Sequence, residues 1–252
     1  MKLTTSYFPA QKGYEILDIT IGDLLRTVAA TNSNSIAMID ILNTGECGQS
    51  WTYTGLLTES ERLAFALNTR FKMGERVVVW APNIPEWIFM EYACALSGLT
   101  LVTANPSFQA SELRYVLEQS GAVGLFMVNE FRGNPMEEIA LEAAKGNAQL
   151  REITNLIDVQ TLYATGKLPA QLPHVHPDDA AQIQYTSGTT GFPKGAVLSH
   201  KNLLNNARLF CDRKGVGSHS VWANFMPLFH TAGCATGALG CLQAGAKMLL
   251  IK

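Results

Sequence analysis

The chain has 252 residues, 47% hydrophobic and 16% charged, which supplies one large core or two small ones and excludes a disordered chain. A formal net charge of −2 leaves no basic footprint for nucleic acid. The cysteines at 47, 94, 211, 234 and 241 are odd in number, scattered and without a C-x-x-C. They are expected to be reduced core residues of a cytoplasmic protein, neither disulfide staples nor zinc ligands.

Residues 1–19 read as a loosely held lead-in, and their polar opening shows no signal peptide. Ile21, Leu24, Leu25 and Val28 give residues 21–30 helical spacing; a polar turn at 31–35 and a strand at 36–41 follow. Thr54 is expected to cap a helix running to about Arg70, with Leu56, Leu63 and Leu67 on its apolar face. The apolar run at 76–80 predicts a strand buried on both faces of a parallel sheet. Beyond the turn Pro82-Asn-Ile-Pro85, a helix is expected over 86–97 and a strand over 99–103. Ser111 is expected to cap a helix ending at Ser120, before a strand at 123–128.

Residues 165–179, with Pro169, Pro173 and Pro177, are expected to link a first α/β subdomain (20–164) to the start of a second (180–252). Strands at 181–185 and 196–198 then flank a loop, and Ser199 caps a helix starting near His200. Residues 231–246 form the longest apolar stretch, too short and too rich in Gly and Ala to span a bilayer. With its Gly233-x-x-x-Gly237 spacing it predicts a buried helix ended by Gly245, followed by a strand at 247–251. Alternation of strand and helix argues for right-handed βαβ crossovers and an α/β fold of parallel-rich sheets flanked by helices.

The loop carries the chemistry. From Thr186 to Gly195 the residues are small, hydroxylated, Gly, Pro or Lys, apart from Phe192. Such a segment cannot build a core. Glycine backbone N–H groups crowd round an anion, hydroxyls add donors, and Lys194 adds positive charge, which suits a nucleotide's polyphosphate. A Walker A loop is excluded because Pro193 precedes Lys194, Gly195 follows it, and a strand rather than a helix comes next. A G-x-G-x-x-G pattern is absent too.

Residues 185–195 resemble the signature loop of the AMP-forming acyl-CoA synthetases, in the adenylate-forming superfamily. The pattern Thr-Ser-Gly-Thr-Thr-Gly-x-Pro-Lys-Gly stands complete from Thr186 to Gly195. Met226-Pro-Leu-Phe-His230 is similar to the family's Pro-Leu-Phe-His segment, and weaker similarity covers roughly residues 20–252 through Thr52–Leu56, Gly74–Trp87 and Asn105–Leu113. The resemblance implies that Thr186, Ser187, Gly188, Thr189, Thr190, Gly191 and Lys194 hold ATP phosphates, with Thr186 also touching Mg2+. It implies that His230 lines the acyl or nucleotide pocket. The implied partners are a small carboxylic acid, ATP and CoA. Some long-chain members have a Trp gate four residues beyond that His, where this chain has Cys234, so a gated fatty-acid tunnel is not expected.

The family's adenine-stacking and ribose-binding segments and its C-terminal domain with a catalytic Lys are absent from these residues. The chain is therefore expected to be an incomplete N-terminal AMP-binding domain that is inactive by itself. Its parent is expected to be an acid–CoA ligase, acting on a fatty or other apolar acid. The alternatives are an enzyme that loads an amino or aryl acid onto a carrier protein, and a non-catalytic nucleotide-binding protein. Peripheral membrane contact stays open, and nothing in the sequence indicates an oligomeric state.

Overall fold

The continuous apolar run at 76–80 becomes an interior strand of a parallel sheet. In the computed structural model, which describes residues 6–7, 13, 15–158, 161, 171–186 and 193–252, β3 (Arg76–Trp80) lies between two parallel neighbours, β4 (Thr100–Thr103) and β5 (Gly124–Met127). Val77 through Trp80 are each 0% exposed, which explains the lack of alternation in this segment. The sheet extends to β6 (Glu152–Asn155) on one side, and to β7 (Ala180–Thr186) and β8 (Lys194–Ser199) on the other. A second sheet has the order β2-β1-β10-β9, from β1 (Ile36–Ile41), β2 (Cys47–Thr52), β9 (Val221–Asn224) and β10 (Lys247–Ile251). Both sheets are parallel except at one edge, where β8 and β2 run antiparallel to their neighbours.

Sheet membership therefore follows a different division from the expected subregions 20–164 and 180–252. Strands β7 and β8 join β3–β6, and β1 pairs with β10 from the far end of the chain. Of the 165–179 segment, residues 165–170 lie outside the described residues.

The helices are α1 (Ile21–Thr31), α2 (Tyr53–Asn68), α3 (Pro85–Ser97), α4 (Ala110–Ser120), α5 (Met136–Ala144), α6 (His200–Lys214) and α7 (Gly240–Ala244), the last preceded by a π-helix at Ala232–Leu239. Helix α3 is buried at every position except Glu86 and packs against α1, α2, β4 and the π-helix, which is why its sequence is apolar all round. It ends at Gly98 in the left-handed region. Helix α6 begins as its sequence predicts: Ser199 accepts from the Asn202 amide at 3.2 Å, and the Asn202 side chain reaches back to Ser199 N.

Two caps differ from expectation. Helix α2 is capped by Thr52, whose Oγ1 accepts from Gly55 N at 3.1 Å, because β2 runs directly into the helix and starts it earlier than Thr54 would. Helix α4 starts after Gln109, whose amide donates to Glu112 Oε2 at 2.9 Å; this places Ser111 inside the first turn.

The single helix expected over 231–246 is a wide π coil that narrows into α7, ended by Gly245 at φ 64°. The cause is close backbone packing at Gly233, where a Cβ would lie 2.2 Å from the Pro227 carbonyl oxygen. Four cysteines are free and buried, but Cys47 lies exposed on the edge strand β2 and is not a core residue. Among the described residues no helix is long and apolar enough to cross a membrane.

Candidate functional site

Parallel strands place their carboxyl ends on one edge, and in such sheets ligands bind outside that edge. Here the carboxyl ends of both sheets converge on Asn83, in the turn after β3. Its Nδ2 donates to the carbonyls of Ile251 at 2.9 Å and Met226 at 3.0 Å, and its Oδ1 accepts from Leu228 N at 2.9 Å. Beside it opens a cavity of about 340 Å3, with Pro106, Phe131, Phe225 and Phe229 among its walls.

The sequence-predicted loop leaves the same edge. Strand β7 lies parallel to β4, and β8 returns antiparallel, with Thr186 opposite Lys194 and Tyr185 opposite Gly195. The strand–loop–strand reading of this segment thus matches the observed hairpin. Thr186 Oγ1 donates to the Lys194 carbonyl at 3.4 Å, closing the mouth of the hairpin. Both residues are exposed, and among the described residues no carboxylate pairs with Lys194. Ser187, Gly188, Thr189, Thr190 and Gly191 lie outside the described residues.

Helix α4 buttresses the hairpin from one side. Tyr115 Oη donates to the Pro193 carbonyl at 2.9 Å, Tyr185 Oη donates to Gln119 Oε1, and the two tyrosine rings meet edge to face at 6.5 Å. Burial pushes the Tyr185 hydroxyl up to about 12, so it remains a donor. Gly195 is required by this packing, since a Cβ there would come within 2.9 Å of Ile183 and 3.3 Å of the Tyr185 ring.

His230 is exposed at the turn leading into the π-helix, with its Nδ1 accepting from Ala232 N at 3.1 Å. An imidazole accepting there keeps its other nitrogen, Nε2, free to donate outward. Cys234 connects this turn to the hairpin. Its Sγ lies 3.4 Å from the His230 carbonyl and 3.3 Å from Gln184 Nε2, two residues before Thr186. The structure thus brings Thr186 and Lys194 face to face and joins His230 to their strand through Cys234.

Sequence reasoning missed three polar residues behind this site: Glu91 in α3 and Gln182 and Gln184 in β7. The signals were a Glu inside an all-round apolar helix and two Gln at alternate positions of an apolar strand.

An implied nucleotide fits the described donors. Exposed Lys194 and the Thr186 hydroxyl flank the loop mouth, and among the described residues no carboxylate pairs with Lys194. Among the described residues no group of three or more His, Cys, Asp or Glu could hold a metal. A Mg2+ at Thr186 would accordingly take most of its oxygens from phosphate and water, as this ion commonly does.

Two parallel-rich sheets meeting at their carboxyl edges, with a Thr/Lys hairpin at the edge of one of them, define an α/β protein of the adenylate-forming fold. The chain belongs to the family of AMP-binding enzymes, which it matches over residues 25–252. It is 32% identical over 231 residues to the human mitochondrial medium-chain acyl-CoA ligase ACSF2, covering 79% of this chain and 38% of that one. It is 31% identical over 253 residues to the acyl-CoA ligase sidI of Aspergillus fumigatus, covering 92% and 42%. Among solved structures, VinN superposes with a TM-score of 0.78 at 26% identity, over 93% of this chain and 57% of that one. The chain spans less than half the length of the curated relatives it matches.

Proposed function

We propose that this chain is the nucleotide-binding part of an AMP-forming acid–CoA ligase. The parent reaction joins a carboxylic acid to ATP, giving acyl-adenylate and pyrophosphate, and then transfers the acyl group to CoA with release of AMP. The observation that carries this reading is the hairpin mouth, where Thr186 and Lys194, which pairs with no carboxylate among the described residues, face each other at the carboxyl edge of the sheet. In this role Lys194 balances charge on the departing pyrophosphate, and Thr186 supplies a hydroxyl to phosphate or to its Mg2+. Preorganised charge of this kind is often the largest contribution to lowering such a barrier. His230, with Nδ1 engaged by the backbone, presents Nε2 to the acid. The nearby cavity combines Phe131, Phe225 and Phe229 with Arg132 and Lys252, which supports an acid with an apolar body and an anionic head, and the relatives named as medium-chain acyl-CoA ligases point the same way.

A second reading is favoured by one observation. VinN, similar over most of this chain, is also known in complex with 3-methylaspartate, which supports an amino acid in place of a fatty acid. We place the protein in the cytoplasm on its free cysteines, a location that cell fractionation tests.

Calorimetric titration of the chain with ATP and Mg2+ tests the main reading. Binding is expected, and Lys194→Ala should weaken it by about tenfold or more, the loss of one charge-assisted contact. Absence of binding, or binding indifferent to Lys194→Ala, would overturn it. Adding medium-chain fatty acids or aspartate in turn then separates the two substrate readings.

A further inference from the structure

A chain of buried polar side chains crosses the interior behind the hairpin. Glu91 of α3 is 2% exposed, and its Oε1 lies 2.6 Å from the Gln182 side-chain amide. The Gln182 and Gln184 amides are 2.9 Å apart. Gln184 in turn touches Thr103 Oγ1 at 3.2 Å and Cys234 Sγ at 3.3 Å. Cys234 Sγ completes the chain at the His230 carbonyl, 3.4 Å away, as a third donor beside the Gly233 and Cys234 backbone amides at 2.9 and 3.1 Å.

Each glutamine amide can turn over by 180° with every heavy atom left in place. The chain therefore has two self-consistent directions. When Glu91 is ionised it can only accept, so Gln182 donates to it and accepts from Gln184. Gln184 then accepts from Thr103, and its N–H also faces the Cys234 sulfur, which leaves the thiol proton for the His230 carbonyl at 3.4 Å, with the Gln182 oxygen a longer acceptor at 3.6 Å. When Glu91 is protonated its O–H needs an acceptor, and 2.6 Å suits an O–H···O bond. Gln182 must then turn its oxygen to Glu91 and its N–H to Gln184. Gln184 turns as well, donating to Thr103 and offering its oxygen to Cys234, so the thiol proton leaves the His230 carbonyl. Without that reversal the acid proton would be a buried donor without an acceptor.

We propose that this chain is a reversible relay in which the proton on Glu91 sets the direction of both glutamine amides and, through them, whether the Cys234 thiol adds its hydrogen bond to the His230 carbonyl. Glu91 is a positioning residue, since it acts on the His230 turn only through others, and its proton exchanges with solvent. The consequence for function rests on His230 belonging to the proposed ligand pocket. Burial pushes Glu91 up to about 8, which puts the reversal between neutral and mildly alkaline pH. The titratable groups facing it are Tyr92 and Cys94 on its own helix and Cys234 of the π-helix, with Tyr53 of α2 beyond Tyr92. All four are held neutral by burial. From β7 the uncharged Gln182 touches it, with Gln184 and Thr103 of β4 further along the chain, and Asp23 of α1 and Asp158, which follows β6, are exposed.

The test is NMR of the chain with 15N in glutamine side chains and 13C in histidine carbonyls, titrated from pH 6 to about 10. The side-chain amides of Gln182 and Gln184 and the carbonyl of His230 should move with one common midpoint. Glu91→Gln, a near-isostere that cannot ionise, should abolish all three titrations. Cys234→Ala should leave the glutamines titrating and silence the His230 carbonyl, an effect that loss of packing alone would not produce. Movement confined to Gln182, separate midpoints, or a His230 titration that survives Cys234→Ala would overturn the relay. If Glu91→Gln fails to fold, common or separate midpoints in the wild-type chain still decide. ATP binding on the same sample reports independently: a chain that titrates as described yet binds no ATP supports the relay and sinks the proposed function.

Discussion

Gly233 shows how one missing side chain shapes the region behind His230. It sits in the π-helix with its Cα pressed against the backbone of Met226 and Pro227, and a Cβ would lie 2.2 Å from one carbonyl oxygen and 2.6 Å from another. Neither obstacle is a side chain that can swing away. Its own carbonyl accepts from Asn224 Nδ2 at 3.1 Å, so a shift of the coil also strains a buried hydrogen bond. Gly233→Ala is expected to cost about 3 kcal/mol or more, at the upper end for overpacking. Urea denaturation checks this. The spacing of Gly233 and Gly237 was visible in the sequence as a close-packing signal, but what packs there was not. Glu91 was less legible still. A single carboxyl in an apolar helix reads as a surface position until the fold places helices and a strand around it.

At the scale of elements, the hairpin and α4 form one unit. Tyr115 is held by its ring against Tyr185 and by its hydroxyl on the Pro193 carbonyl, the last residue before β8. Tyr115→Phe keeps the ring and removes the donor. It is expected to lower stability by about 1 kcal/mol, the net worth of a typical hydrogen bond. ATP binding should weaken a few-fold in calorimetry because the return strand is less firmly placed, whereas unchanged affinity would separate α4 from the loop. Which elements could be read beforehand follows from their burial. Strands β3 and β10 and helix α6 stood out through continuous apolar runs or a matched cap. Strands β2, β6 and β9 are short and half-exposed, so neither alternation nor an apolar run marks them. The π coil was invisible for a different reason: small residues fit α and π spacing equally well, and only the Gly233 contact selects the wider turn.

For the molecule as a whole, two buried groups make stability depend on pH in opposite senses. His200, 1% exposed, accepts from Ile21 N through Nδ1 and so ties α6 to the start of α1. Burial lowers its pKa from 6.5 to about 4. A lowered His is neutral in the fold while the unfolded chain takes up a proton, so its contribution is complete above pH 6.5 and is lost as pH falls through about 4. At about 1.4 kcal/mol per pH unit, that interval amounts to about 3 kcal/mol. Glu91 runs the other way. Desolvation raises it from 4.5 to about 8, so its contribution is complete below pH 4.5 and is lost as pH rises through about 8. Between 4.5 and 6.5 the two slopes oppose each other, and above 6.5 only the Glu91 slope remains. Urea denaturation as a function of pH should therefore show a broad maximum on the acid side of neutrality and a decline towards pH 8 approaching 1.4 kcal/mol per unit. Glu91→Gln cannot ionise and should flatten that alkaline decline while leaving the acid limb, which belongs to His200. A wild-type profile level from pH 6.5 to 8 would mean that Glu91 is ionised in the folded chain, and the direction of the polar chain behind the hairpin would then be fixed.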